Sequence, residues 1–300
     1  MDRAAFKSDL LLLLTASIWG FAFVAQRVGM AYVGPFTFNG VRFALGSLAL
    51  VPWILRAQAP RTPVERMRNQ TALYGGLFAG VALFAGASLQ QVGLVYTTAG
   101  KAGFITGLYV VIVPLLGLFW RQQTHAGTWF GAVLAAVGLY LLSVTEQLTI
   151  SFGDLLELAG AFLWAGHMLI IGWLSPKTDA LKLASVQFAV CAILSLAVAL
   201  AFEPITLGGL SDATVPILYG GLFSVGVAYT LQVVAQREAH PAHAAILLSL
   251  EAVFAALGGW LLLNEILPSR GMVGCALMLT GMLLSQLYGL YALSGREPDI

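Results

Sequence analysis

Ten stretches of about twenty residues run nearly free of charge along this chain, near 8–29, 35–56, 71–93, 99–120, 126–144, 153–174, 181–202, 213–235, 241–263 and 271–293. Crossing a hydrocarbon core of ~30 Å takes ~20 helical residues, because every backbone amide must be bonded within its own segment. Turn formers or charges mark the breaks, among them Gly34-Pro35, Arg56 to Gln70, Arg121-Gln122-Gln123, Ser175-Pro176-Lys177, Glu203-Pro204 and Pro268-Ser269-Arg270. The expected architecture is an all-α membrane protein of ten transmembrane helices. Composition agrees: 59% of residues are hydrophobic and 10% charged, against roughly 25% charged in an ordinary soluble domain. Most of this surface has to face lipid.

The first apolar run, Asp9 to Gly29, is too long for a signal-peptide core and reads as a retained first helix. With the N-terminus inside, eleven Lys and Arg residues fall on the cytoplasmic side. Only Arg27, Arg42, Lys101 and Arg270 fall on the other. The bias places both termini in the cytoplasm.

The chain also repeats itself. Leu73-Tyr74-Gly75-Gly76-Leu77-Phe78 recurs letter for letter as Leu218-Tyr219-Gly220-Gly221-Leu222-Phe223, a shift of 145 residues. The same shift carries Asp9-Leu10-Leu11 onto Asp154-Leu155-Leu156 and Trp19 onto Trp164. Two halves are expected, residues 1–145 and 146–300, with five spans each. Five is odd, so the second copy has to lie upside down relative to the first. Inverted repeats of this kind are characteristic of secondary transporters, whose site lies between the halves near the midplane.

Leu250-Glu251-Ala252-Val253-Phe254-Ala255-Ala256-Leu257, then Leu263-Asn264-Glu265, Gly274 and Gly281, resemble the ninth and tenth helices of the EamA-type drug/metabolite transporters. Trp19, the glycine-rich third span, and Phe104 through Pro114 in the fourth fit the same pattern, so the resemblance covers essentially the whole chain. It implies export of amino acids or other small metabolites across a bacterial inner membrane. Many family members have Pro where this chain has Ala252, which leaves a symmetric pair of kinks in the fourth and ninth helices without support.

Polar groups inside spans are expensive and tend to face the bundle interior or a watery cavity. In the sixth span Glu157, Gly160, Trp164 and His167 share one helix face. A carboxylate, an indole and an imidazole together suit a zwitterion with an apolar side chain. The first span mirrors this with Thr15, Trp19, Phe23 and Gln26. Gln90 and Gln91 in the third span, and Tyr229, Gln232 and Gln236 in the eighth, are further lining candidates, although helix–helix hydrogen bonding explains them as well. Glu251 either titrates during transport or pairs with His243. Lys101 either binds a substrate carboxylate or snorkels to the interface, and Tyr109 extends its face inward. Pro114 is expected to kink the fourth helix and serve as a gate hinge. Arg42 reads as an anchor or ion-pair partner. Gly76/Gly80, Gly103/Gly107 and Gly127/Gly131 are small-residue pairs that let helices approach closely.

These features favour a carrier working by alternating access, with a small-molecule substrate and the bilayer as partners, no nucleic acid and a monomeric state. No cofactor or metal is expected: Cys191 and Cys275 lie alone in apolar runs. No H-E-x-x-H, G-x-S-x-G or phosphate-binding glycine loop points to an enzyme. The absence of an Arg/Lys cluster within the spans speaks against a multiply charged phosphate substrate. Neutral or aromatic amino acids lead the expected substrates. A drug or organic-cation exporter and a channel-like facilitator are the alternatives.

Overall fold

The computed structural model describes residues 3–56, 62–118, 126–143, 150–239 and 241–294. The helices are α1 (Arg3–Gly29), α2 (Pro35–Arg56), α3 (Pro63–Tyr96), α4 (Ala99–Thr106), α5 (Tyr109–Gly117), α6 (Ala126–Ser143), α7 (Phe152–Leu174) and α8 (Ala180–Phe202). The second half continues with α9 (Leu207–Asp212), α10 (Thr214–Leu218), a π-helical segment Tyr219–Tyr229, α11 (Thr230–Ala235), α12 (Pro241–Ser249), α13 (Glu251–Leu263) and α14 (Ser269–Ser294).

Seven of these are long and apolar enough to cross a membrane unaided: Phe6–Gly29, Pro35–Arg56, Pro63–Tyr96, Ala99–Gly117, Phe152–Lys177, Ala180–Phe202 and Thr214–Ala235. The expected fifth, ninth and tenth spans correspond to α6, to α12 with α13, and to α14. Two shorter apolar helices, Trp129–Gly138 and Leu247–Leu263, lie among them. Large apolar side chains face outward around the bundle, including Leu48, Leu55, Phe78, Leu200 and Phe202. Such a surface is stable against hydrocarbon, not against water.

Local chemistry sets the helix ends. Thr62 and Glu65 form a reciprocal capping box with Pro63 at the first position, so α3 begins well before the apolar run that predicted a start near 71. Ser151, Thr98 and Asp179 cap α7, α4 and α8 through their side-chain oxygens. Asn264 takes the left-handed conformation (φ 54°) that ends α13, and the Glu265 N–H closes the turn on the Gly259 carbonyl at 3.0 Å.

Two of these ends are capped from afar. The Glu203 carboxylate accepts from the N–H groups of Phe36 and Thr37 and from the Thr37 hydroxyl at 2.7–2.8 Å. The Glu265 carboxylate accepts from the N–H groups of Ala99 and Gly100 at 2.9 and 3.0 Å. An acid at a helix N-terminus satisfies orphan donors and complements the helix dipole. Glu265→Ala is therefore expected to lower stability by about 1 kcal/mol, with Glu265→Gln intermediate, in thermal unfolding of the detergent-solubilised protein. An unchanged unfolding temperature for the alanine variant would refute the cap.

The packing is symmetric under exchange of the halves. α6 packs on α14, α2 on α8, and α4 on α13. α3 packs on α7 as the π segment packs on α1, and α3 lies on α8 as the π segment lies on α2. α1 lies on α13 as α7 lies on α4 and α5. Each contact becomes another of the set when the first span is traded for the sixth and so on. Glycines make the close approaches: a Cβ at Gly76 or Gly80 would meet Val186 or Val190 of α8 at 2.7 or 2.5 Å, and one at Gly103 would meet Ala255 at 2.5 Å.

The fourth span breaks at Gly107–Leu108, upstream of Pro114, where Leu108 and Val110 donate to carbonyls three residues back. Pro114 itself lies inside α5, about two turns beyond that break. The ninth span breaks at Leu250, again with three-residue bonds from Leu250 and Val253. The symmetric pair of interruptions therefore exists without a proline at position 252, because tight 3₁₀ turns provide it.

Candidate functional site

Between the halves lies a narrow cavity of ≈ 40 Å³, room for a few water molecules, so its walls have to move apart to admit a small-molecule substrate. Nine of the residues singled out in the sequence line it: Trp19, Gln26, Gln90, Tyr109, Trp164, His167, Tyr229, Gln232 and Glu251. Phe23, Arg42, Thr106, Met168 and Ser224 share the wall.

The wall has an aromatic side. Tyr229 sits between the two symmetry-related tryptophans, its ring centroid 4.5 Å from Trp19 and 6.1 Å from Trp164. Phe43 and Phe188 back it at 5.9 Å each. Trp164 meets His167 edge-on at 6.0 Å. Tilted and edge-on pairs of this kind favour one another through their quadrupoles, so the rings form one continuous aromatic wall.

An amide relay holds Trp164 in place. The Trp164 indole N–H donates to Gln90 Oε1 at 2.9 Å, Gln90 Nε2 donates to Gln26 Oε1 at 3.0 Å, and Gln26 Nε2 donates to the Ala22 carbonyl at 3.1 Å. Three helices, α7, α3 and α1, are thereby tied in series. Trp19 points its N–H elsewhere, at the Ser224 carbonyl of the π segment, 3.2 Å away. Thr15 donates to the Ala228 carbonyl of the same segment at 3.3 Å. His167 and Gln187 are 2.8 Å apart.

Lys101 and Glu157 stand off the cavity wall. Lys101 Nζ forms an ion pair with Asp154 at 2.6 Å, and Asp154 also accepts from Thr97 at 2.7 Å. The ammonium is committed at one end of the bundle. Glu157 is fully buried and accepts from the Thr106 hydroxyl at 3.1 Å, so it lies one layer behind the wall. Its helix face drifts: Trp164 and His167 turn to the cavity while Glu157, two turns earlier, meets α4. Gln91 and Gln236 donate to the carbonyls of Gln26 and Met168, both at 3.4 Å, the helix–helix alternative weighed for them. The proposed partner of Glu251 cannot be compared, because the His243 side chain lies outside the described residues; the break at Leu250 separates the two on different helices.

Arg42, expected as an anchor or ion-pair partner, stands in the cavity wall, 1% exposed and without an ion-pair partner among the described residues. Its signal in the sequence is Asn39-x-x-Arg42 flanked by Phe38 and Phe43: an amide and a guanidinium on one face of an otherwise apolar helix.

The chain matches the EamA-like transporter family twice, over residues 6–144 and 151–287. An uncharacterized transporter of Archaeoglobus fulgidus is 32% identical over 281 residues, which cover 93% of this chain and 86% of the relative. A probable amino-acid metabolite efflux pump of Escherichia coli is 28% identical over 164 residues, 53% of this chain and 51% of the relative. A solved crystal structure shares 18% identity and aligns with a TM-score of 0.70 over 93% of this chain and 97% of that one, a likeness of fold alone.

Proposed function

The chain belongs to the EamA-like transporter family, and from that premise we propose that it is a secondary carrier exporting small metabolites, neutral or aromatic amino acids foremost. Ten spans in two inverted halves expose the central cavity to each side of a bacterial inner membrane in turn, with both termini cytoplasmic. The observation that carries this reading is the cavity itself. It lies where the two family repeats meet, and its aromatic box joins Trp19 of one repeat to Trp164 and Tyr229 of the other. Rocking of one half on the other would remodel the box and alter its hold on a ligand. The name of the Escherichia coli relative points to the same cargo.

Reconstituted protein is expected to give saturable uptake of labelled amino acids, accelerated by unlabelled substrate on the far side. Such counterflow needs a carrier that returns loaded, whereas a facilitating pore gives flux linear in concentration. Linear flux, or none for any amino acid tested, would overturn the proposal.

A further inference from the structure

A positive charge buried in a membrane protein needs a reason, because leaving it without a counter-charge is costly. Arg42 is the largest fully buried side chain among the described residues, and no described carboxylate lies within ion-pair distance of it. Its surroundings hold the group in one pose. The Nε donates to Asn39 Oδ1 at 3.0 Å, and Asn39 in turn donates its Nδ2 to the Ala87 carbonyl at 3.0 Å, which fixes the amide's orientation. The guanidinium carbon lies 4.9 Å from the Phe43 ring centroid and 5.6 Å from that of Phe38. Gly220 makes room for the stem: a Cβ there would approach Arg42 Cδ at 3.2 Å. One terminal nitrogen, Nη2, is buried and has no partner, although the group stays charged at every accessible pH.

We propose that Arg42 is the receptor for a single carboxylate on the transported molecule. The inference rests on the carrier reading above and narrows it: the cargo is a monocarboxylate with an apolar or aromatic body. With Nε engaged by Asn39, the free end of the fork is the Nη edge, which matches the two oxygens of a carboxylate. The Phe43 ring beneath the guanidinium is the same ring that backs Tyr229, so a carboxylate on Arg42 sets the rest of the molecule beside the aromatic box. No lysine or second arginine lines the cavity, which suits one negative charge and not a phosphate ester. An organic cation without an acid group would leave the buried guanidinium unpaired. Asn39 is a positioning residue: it touches the guanidinium, not the cargo.

Binding separates this inference from the transport reading, because it needs no flux. The probes are matched acids and amides, 3-phenylpropionate against 3-phenylpropionamide and phenylalanine against phenylalanine amide. They are titrated into detergent-solubilised protein and followed by tryptophan fluorescence. Wild type is expected to prefer each acid at least about tenfold, the size of one charge-assisted hydrogen bond. Arg42→Gln is expected to lose that preference, and Arg42→Lys to keep part of it, since the charge survives and the fork does not. Asn39→Ala is expected to weaken acid binding and leave amide binding unchanged. Equal binding of acid and amide by wild type overturns the proposal, as does a preference that survives in Arg42→Gln or an absence of acid binding altogether. Should Arg42→Gln fail to elute as a single species, the wild-type comparison and Arg42→Lys decide. Acid-selective binding without counterflow would refute the carrier reading and leave the Arg42 site standing.

Discussion

In proteoliposomes, Trp164→Ala is expected to reduce the apparent affinity for substrate about tenfold, while the protein inserts and elutes as a single species. The indole supplies a wall of the cavity and packs in series with Tyr229 and Trp19. Losing such a face in a desolvated site is worth ~1–2 kcal/mol, and each 1.4 kcal/mol is a factor of ten. The substitution also strips Gln90 Oε1 of its donor, which loosens the relay through Gln26. Trp164→Phe keeps an aromatic face and loses only the N–H, so it should retain part of the activity. Initial rates normalised to folded protein decide the matter. Normal kinetics in the alanine variant, with low yield, would make Trp164 a packing residue and remove it from the site.

The second large effect is on stability. At Gly20, α1 crosses α13 without space for a methyl group: a Cβ there would collide with Phe254 Cβ and lie 2.8 Å from the Glu251 carbonyl oxygen and 2.9 Å from the Ala255 nitrogen. Backbone cannot swing aside as a long side chain can, so the two helices have to separate. Gly20→Ala is expected to cost about 2–3 kcal/mol, the upper part of the overpacking range. Gly166→Ala is the control. Nothing lies within 4 Å of a Cβ there, and relieving a mid-helix glycine stabilises by about 0.5–1 kcal/mol. Chemical unfolding in detergent should move in opposite directions for the two. A neutral Gly20→Ala would show that the α1–α13 crossing is looser than described.

Much of this was legible in the chain beforehand. The 145-residue offset pairs Trp19 with Trp164, and both stand on one cavity wall. Mid-span polar residues were a fair guide to the lining because their burial needs partners. Guidance failed where the deciding neighbour sits on another helix. Glu157 shares a stripe with Trp164, yet Thr106 of α4 claims it. Lys101 looked available until Asp154, remote in sequence, came within 2.6 Å. Arg42 counted as an anchor because it lies near the start of its span; only Phe38, Asn39, Phe43 and Gly220 together show why it is held inside. The break at Leu250 has no proline to announce it, since 3₁₀ bonds arise from packing as readily as from composition.

The duplicated hexapeptide ends up in two windings. Leu73 to Phe78 lies within the α-helix α3, whereas Tyr219 to Phe223 of its twin is π-wound, with Trp19 and Thr15 bonded to carbonyls of that segment. Intrinsic preference is identical letter by letter, so it cancels in any comparison of the copies. Leu77 and Leu222 are also alike in exposure, 44% and 40%. The chain thus carries a matched pair for calorimetry: the same leucine truncation in the same lipid-facing setting, once on each winding. A difference between the two effects on unfolding measures what winding and neighbours, rather than the leucine itself, contribute at that position.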